Sequence, residues 1–351
     1  MPNYKRDFLT ERHSDYEDKF QDWNFHLLSY LGGQDYQNGY LLNRYVLESD
    51  EEYIKRMNNT PIDNHCKNVV QIYSSFLFRV PPTRNYGTLS GDEQLENFLK
   101  DADLDGRSFD NIIREMQINA SIYGTCWAIM DKPAVQTETR AEEIQLDIRP
   151  YLSIYTPENV LNWNYQRMIN GRYELTSLTL LENLSNDVAT IRVWTKEDIT
   201  TLMVKDFSKG YSTSEPILID EMPNMINEIP AITLYNQKSQ RRGIGISDLQ
   251  DVAELQKSIY NDYSEIEQLI RLSNHPSLVK TPNVEASAGA GSIIEMPEDM
   301  DSNLKPYIIQ PSSQSMTGIM DCINMKVDAI NRVTHMLSLI HISEPTRLSG
   351  I

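Results

Sequence analysis

The chain has 351 residues, 40% of them hydrophobic, which is enough to bury a substantial core and is typical of a globular protein. Its 32 Lys and Arg residues are outnumbered by 50 Asp and Glu residues, and the net charge of −18 argues against tight binding to a phosphate backbone. The cysteines Cys66, Cys126 and Cys322 form no CxxC motif and favour a reducing compartment. The sequence shows no signal-peptide core and no apolar run of membrane-spanning length.

Helices are predicted for the first part of the chain. Apolar residues at three-to-four spacing predict a helix over 15–31, followed by a loop at Gly32 and Gly33. The acidic stretch ESDEEY predicts a second helix start. Pro61 separates this helix from an apolar-periodic one that ends before the Pro-Pro pair at Pro81.

Two more helices precede the first predicted strand. One covers 92–100, and the other begins with Ser108 as its N-cap and ends with Gly124 as its C-cap. A serine hydroxyl accepts hydrogen bonds from the free N–H groups of a first turn, and glycine adopts the left-handed conformation that ends a helix. The apolar run TCWAIMD at 125–131 is typical of a buried strand.

Between about residues 144 and 235 the hydrophobic period changes to two, which indicates a mostly antiparallel sheet. Pro157 begins a short helical turn between two of the strands. The strand segments read IQLDIRPYLSIYT, YELTSLTLLENL, ATIRVWTKEDITTLMV and IPAITLYN. Helices and antiparallel strands in separate runs predict the α+β fold class.

A long helix is predicted over 247–272, with Ser247 as its N-cap. Its apolar residues recur at close to seven residues per two turns, along a length of about 37 Å. The pattern leaves open whether this stripe is covered by neighbouring helices or by the helix's own domain. The stripe consists of Leu249, Val252, Leu255, Ile259, Tyr263, Ile266 and Ile270.

Pro276 ends the long helix, and two short strands, SLVKTP and GSIIEMP, are predicted around the loop EASAGAG. A final amphipathic helix begins at about Ser315. The string LSLIHISEPTR at 337–347 matches the translation of a transposase sequencing adapter, so 337–351 is interpreted as foreign. The natural sequence is expected to continue beyond Met336, and His341 supports no metal site.

Several patterns invite a ligand interpretation, and each lacks a defining residue. The turn RRGIGIS lacks a third glycine and a βαβ context, which favours helix entry over dinucleotide binding, and SAGAGS lacks the Walker lysine. Asp101, Asp103 and Asp105 before Gly106 resemble an EF-hand start, but Ile112 stands where calcium needs an acid. The histidines have no HExxH spacing. The sequence therefore predicts no catalytic residue, cofactor or metal.

Three stretches resemble, in order, the portal proteins of tailed double-stranded-DNA bacteriophages, over most of 45–336. The first, ESDEEYIKRMNNTPIDNHCKNVVQIYSSFLFRVPP, is similar to the family's early segment, which ends in Phe-Arg-x-Pro-Pro. The second, EIPAITLYNQKSQRRGIGISDLQDVAELQKSIYNDYSEIEQL, resembles the strand, loop and long helix that enter the family's stem. The third, SIIEMPEDMDSNLKPYIIQ with the helix MTGIMDCINMKVDAINRV, resembles the strand and helix near the tunnel.

The resemblance implies a head-to-tail connector with a phage portal-like α+β fold and no enzymatic role. About twelve copies would form a ring at one capsid vertex, and double-stranded DNA would pass through it non-specifically. Implied partners are the terminase large subunit, head-completion or adaptor proteins, and capsid and scaffold proteins. The expected location is the virion, after assembly in the host cytoplasm, with no membrane partner and no cofactor.

By resemblance, 1–246 is a wing-like region, 247–272 a stem helix, 273–298 a clip-like hairpin, and 299–336 the return to the wing and the start of the tunnel helix. In a ring the stem stripe would pack on neighbouring copies, so an isolated subunit is expected to expose it. Short uncharged side chains before the tunnel helix would face the channel and let DNA slide: Gln310, Ser312, Ser313, Gln314 and Ser315.

Two other classes of function remain open at the level of sequence. A phage adaptor or minor structural protein would bind other proteins through the long helix without contacting DNA. A nucleotide-dependent enzyme would need the RRGIGIS turn to hold phosphate at the start of that helix.

Overall fold

A computed structural model describes residues 11–133, 135, 139–207, 216–274, 277–279, 307–309 and 313–336. The chain divides into two compact units. The first combines Met1–Tyr30 with Cys66–Gln250, and the second combines Leu31–His65 with Asp251–Ile351. The first unit contains the main sheets, and the second contains nearly all of the long helix.

The elements alternate between helical and extended runs along the chain. The helices are α1 (Ser14–Leu31), α2 (Gly33–Asn38), α3 (Asp50–Asn59), α4 (His65–Leu77), α5 (Glu93–Lys100), α6 (Phe109–Tyr123), α7 (Arg140–Gln145), α8 (Gln250–Asn274) and α9 (Ser313–Val333). The strands are β1 (Thr125–Asp131), β2 (Tyr151–Tyr155), β3 (Val160–Arg167), β4 (Tyr173–Ser185), β5 (Val188–Thr195), β6 (Asp198–Lys205), β7 (Ile217–Pro223), β8 (Ala231–Tyr235), β9 (Gln237–Lys238), β10 (Gly245–Ile246), β11 (Ser277–Val279) and β12 (Tyr307–Ile309).

Local capping fixes several of these helix ends. Ser49 and Glu52 form a reciprocal capping box at the start of α3, as the acidic helix start predicted in outline. The predicted caps of α6 are confirmed, because Ser108 accepts from the N–H of Asn111 and Gly124 adopts a left-handed φ of 86°.

Among its described residues, the first unit contains two larger antiparallel sheets besides the two-stranded pair of β9 and β10. One has the strand order β2-β1-β8, and the other is a meander of five consecutive strands, β3-β4-β5-β6-β7. The predicted short helical turn at Pro157–Asn159 lies between β2 and β3. This mixture of helices and antiparallel sheet confirms the α+β class.

Helix α6 packs across strand β1 in the first unit. Ile112, Met116 and Ala120 form the apolar face of the helix, and Cys126 and Ala128 meet it from the strand. Each fully buried large apolar side chain contributes roughly 1.5–3 kcal/mol.

The structure corrects several element boundaries. Helix α2 follows the turn at Gly32, where only a loop was predicted. In IQLDIRPYLSIYT the first residues belong to α7, whose N-cap Thr139 accepts from Glu142, and only 151–155 are extended. Strand β7 was not predicted, because its exposed run ILIDEMP does not alternate.

The second unit is built around α8. The rings of Tyr36 on α2 and Tyr260 on α8 meet edge to face at 5.3 Å, and the Tyr260 hydroxyl donates to the carbonyl of Met57 at 3.3 Å. The predicted strand SLVKTP is confirmed in part as β11, which pairs with β12. Its predicted partner GSIIEMP, the loop EASAGAG and the tail 337–351 lie outside the described residues.

Candidate functional site

The long helix α8 begins at Gln250 and ends at Asn274, so its first residue lies three positions after Ser247, the predicted N-cap. The Ser247 hydroxyl accepts from the Leu249 N–H at 2.9 Å and donates to the carbonyls of Ser121 and Ile122. Ser247 therefore binds the segment before α8 to the end of α6, and does not cap α8 itself.

The predicted stripe of α8 is mostly covered within the single chain. Leu249, Val252, Ile259 and Ile266 are buried, and Leu255 and Tyr263 are half-buried, whereas Ile270 is 37% exposed. The expectation that an isolated subunit exposes the whole stripe is wrong, because much of α8 is packed inside its own chain. Exposed apolar surface on α8 is found near its end, at Ile270 and Leu272.

A loop at 40–49 is tied to the same helix by polar contacts. The backbone N–H of Asn43 donates to Asn261 Oδ1 at 2.7 Å, and the Tyr45 hydroxyl donates to Glu265 at 2.6 Å. The pKa of Tyr45 is raised to about 12, mainly by partial burial and to a smaller extent by this contact with Glu265.

Arg56 on α3 is the central anchor of that loop. It is 3% exposed and forms a two-pronged ion pair with Glu48, with both N···O distances at 2.7 Å. It also donates to the Asn43 carbonyl at 2.6 Å and to the Ser264 hydroxyl on α8 at 2.8 Å. The Tyr45 ring covers the guanidinium at 4.1 Å.

Helix α9 contacts α8 in the second unit through an ion pair between Lys326 and Asp262. Ile323 and Ile330 are buried on the face that the period predicted. Of the five residues predicted to face a channel, Ser313 and Gln314 begin α9 and Ser315 is exposed. Gln310 and Ser312 lie outside the described residues.

The glycines of RRGIGIS serve close packing. A side chain at Gly243 would meet the Trp163 ring, and one at Gly245 would meet the backbone of Gly124. The Trp163 indole N–H also donates to the Arg242 carbonyl at 2.9 Å. The turn is thus pressed against protein on this side, which accounts for its glycines without a phosphate ligand.

The acidic turn before α6 is held by internal bonds. Asp101 accepts from the Gly106 N–H at 2.8 Å and pairs with Arg149 at 2.6 Å. Asp103 pairs with Arg107. Partial burial tends to raise the pKa of the Asp103 carboxyl, but the contacts with Arg107 outweigh it and lower that pKa. These carboxylates orient a loop and do not converge on one point.

Two of the histidines are structural. His13 stacks on the Trp163 ring at 4.2 Å and accepts from the Asp15 N–H, and burial lowers its pKa. His26 is buried in α1, and this burial lowers its pKa to about 4. His275 lies outside the described residues.

Within the described α+β fold, charged side chains such as Arg56 and Asp101 act as internal anchors. Among the described residues no group of three or more His, Cys, Asp or Glu side chains could hold a metal ion. Within the same ranges, no helix has the length and apolar character needed to cross a membrane.

The chain belongs to the family described as phage portal protein, SPP1 Gp6-like, which matches residues 25–328. The match includes the three stretches that carry the resemblance, apart from the last residues of the final helix, and it confirms the portal assignment. No curated protein matches the chain. Members of the family are structural components of the virion that serve as the DNA-packaging connector at a capsid vertex.

Proposed function

We propose that this chain is the repeating subunit of a portal ring through which double-stranded DNA enters and leaves the capsid. The observation that carries the proposal is the family match over 25–328, which spans α8 and most of α9. The ring is proposed, from the resemblance to the portal family, to contain about twelve copies, each making the same head-to-tail contact with the next.

The regions are proposed to have separate roles in the ring. Residues 1–246 form the wing, 247–272 the stem, and 299–336 the return and the first part of the tunnel helix. The long α8 and the amphipathic α9 support the stem and tunnel roles, because each supplies a rigid rod of more than twenty residues. The clip role of 273–298 rests on the resemblance, since most of that range lies outside the described residues.

The acidic charge suits a wall along which DNA moves. A net charge of −18 provides no general attraction for phosphates, so DNA would pass without being trapped. Short uncharged side chains at Gln310, Ser312, Ser313, Gln314 and Ser315 are proposed to line the channel. The terminase large subunit and head-completion proteins are proposed to dock on the ring, and capsid and scaffold proteins to surround it.

A ring assay tests this function. The chain is expressed with the codons that follow Met336 in the source DNA, and particle masses are measured by mass photometry and negative-stain electron microscopy. We expect closed rings of about twelve copies with a central channel. Monomers or dimers at every concentration would contradict the portal ring and favour an adaptor or minor structural protein.

A calorimetric titration with ATP and NAD addresses the enzyme alternative. We expect no heat of binding, because Gly243 and Gly245 pack against Trp163 and Gly124. Saturable binding of either nucleotide would support a nucleotide site instead.

A further inference from the structure

The loop between α2 and α3 presents two aliphatic side chains almost entirely to solvent. Val46 is 99% exposed and Leu47 is 96% exposed, and the neighbouring Tyr45 is 39% exposed. Exposed aliphatic residues are common singly, but two adjacent and fully exposed ones form a small apolar knob. The name knob is used below for Val46 and Leu47.

The knob is held rigidly from both sides. Tyr45, directly before it, is bonded to Glu265 and covers Arg56, and Glu48, directly after it, pairs with Arg56. Taking Arg56 and Glu48 out of water costs free energy, which their bonds to each other and to Asn43 and Ser264 must offset. Such anchoring fixes the shape of the knob before anything binds it, which lowers the entropy lost on binding.

We propose that the knob inserts into a second copy of this chain in the ring, an inference that rests on the proposed function. The first argument is continuity with the stem. Asn261 and Glu265 of α8 bond the loop directly, and Ser264 does so through Arg56. The knob therefore has a fixed position on the helix that is proposed to lie beside neighbouring copies. A contact placed in this way repeats identically around a ring.

The second argument is the chemistry around the knob. Leu47 lines a cleft of about 460 Å³ together with Glu52, Lys55 and Arg271, so charged side chains of both signs lie beside an aliphatic one. Aliphatic surface combined with polar groups is typical of contacts between proteins. DNA would instead require a predominantly basic surface.

The test compares the double variant Val46→Ser/Leu47→Ser with the control Ile169→Ser. Ile169 is also fully exposed, at 109%, but lies on the β3–β4 turn of the first unit. All three side chains are solvent-exposed, so folding should be preserved, and thermal unfolding of each variant checks this. Ring mass is followed by mass photometry in a dilution series.

We expect the double variant to raise the midpoint concentration for ring assembly at least about tenfold, since two buried aliphatic side chains are lost from every contact. The Ile169→Ser control should assemble like the unsubstituted chain. Equal midpoints for both variants, with normal rings, would overturn the knob proposal and leave the portal function standing. Absence of rings from the unsubstituted chain would overturn both.

A photo-crosslinking experiment gives an independent readout. Benzoylphenylalanine in place of Val46 should produce covalent pairs of this chain on irradiation of purified rings, and mass spectrometry should identify the residue it reaches. Irradiated rings that yield only single chains would contradict insertion into a neighbour.

Discussion

At the scale of single residues, Gly124 shows how a helix end serves tertiary packing. Its left-handed φ of 86° ends α6, as the sequence predicted, but the same residue also lies against Gly245. A Cβ at Gly124 would be 2.6 Å from the Gly245 carbonyl oxygen, well inside van der Waals contact. Two glycines far apart in sequence are thus required by one close approach of two backbones.

We therefore expect Gly124→Ala to lower the free energy of unfolding by roughly 3 kcal/mol. About 1 kcal/mol comes from the left-handed backbone, and the remainder comes from the clash. Urea unfolding of the two variants measures the difference against Gly91→Ala, which has a φ of 84° and nothing within 4 Å of its Cβ. Equal losses for both variants would mean that the contact with Gly245 is not rigid.

At the scale of elements, the apolar stripe of α8 was expected to be exposed in an isolated subunit. In the structure most of the stripe is covered within its own chain. Ile259 is 1% exposed and Ile266 is 8% exposed. The period of the stripe was correct as a statement about which face is apolar. It could not say what covers that face, because helix periodicity reports only on the helix itself.

Ile259→Asp is accordingly expected to destabilise the isolated chain by about 4 kcal/mol, since it places a carboxylate in an apolar interior. The matched control is Ile270→Asp, at an exposed position of the same helix, with an expected loss below about 1 kcal/mol. Urea unfolding followed by circular dichroism compares the two. If Ile259→Asp gives a folded monomer as stable as the control, the stripe is available for neighbours after all.

Element boundaries also show where short-range signals end. Ser108 and Gly124 were located from the sequence because caps act within one turn of the helix end. The pairing of β11 with β12 was not located from the sequence. Strand β12 lies thirty residues further on, and strand pairing depends on contacts between separate segments. Strand β7 was missed for a different reason: it is an edge strand with little buried surface to impose alternation.

At the scale of the whole molecule, one prediction concerns whether residues 337–351 are natural sequence. The string at 337–347 is interpreted from the sequence as the translation of a sequencing adapter. We expect that resequencing the source DNA without that adapter gives different codons after Met336. Finding the same eleven codons in adapter-free reads would show that the tail is natural.

The sequence by itself determined the fold class, most helix limits and the portal family, because these depend on local periodicity, caps and the order of segments. Only the tertiary structure decided that the α8 stripe is covered, that Arg56 binds Ser264 across 208 residues, and that Val46 and Leu47 are left exposed. Burial and ion pairing arise between segments far apart in sequence. No pattern within a single segment records them.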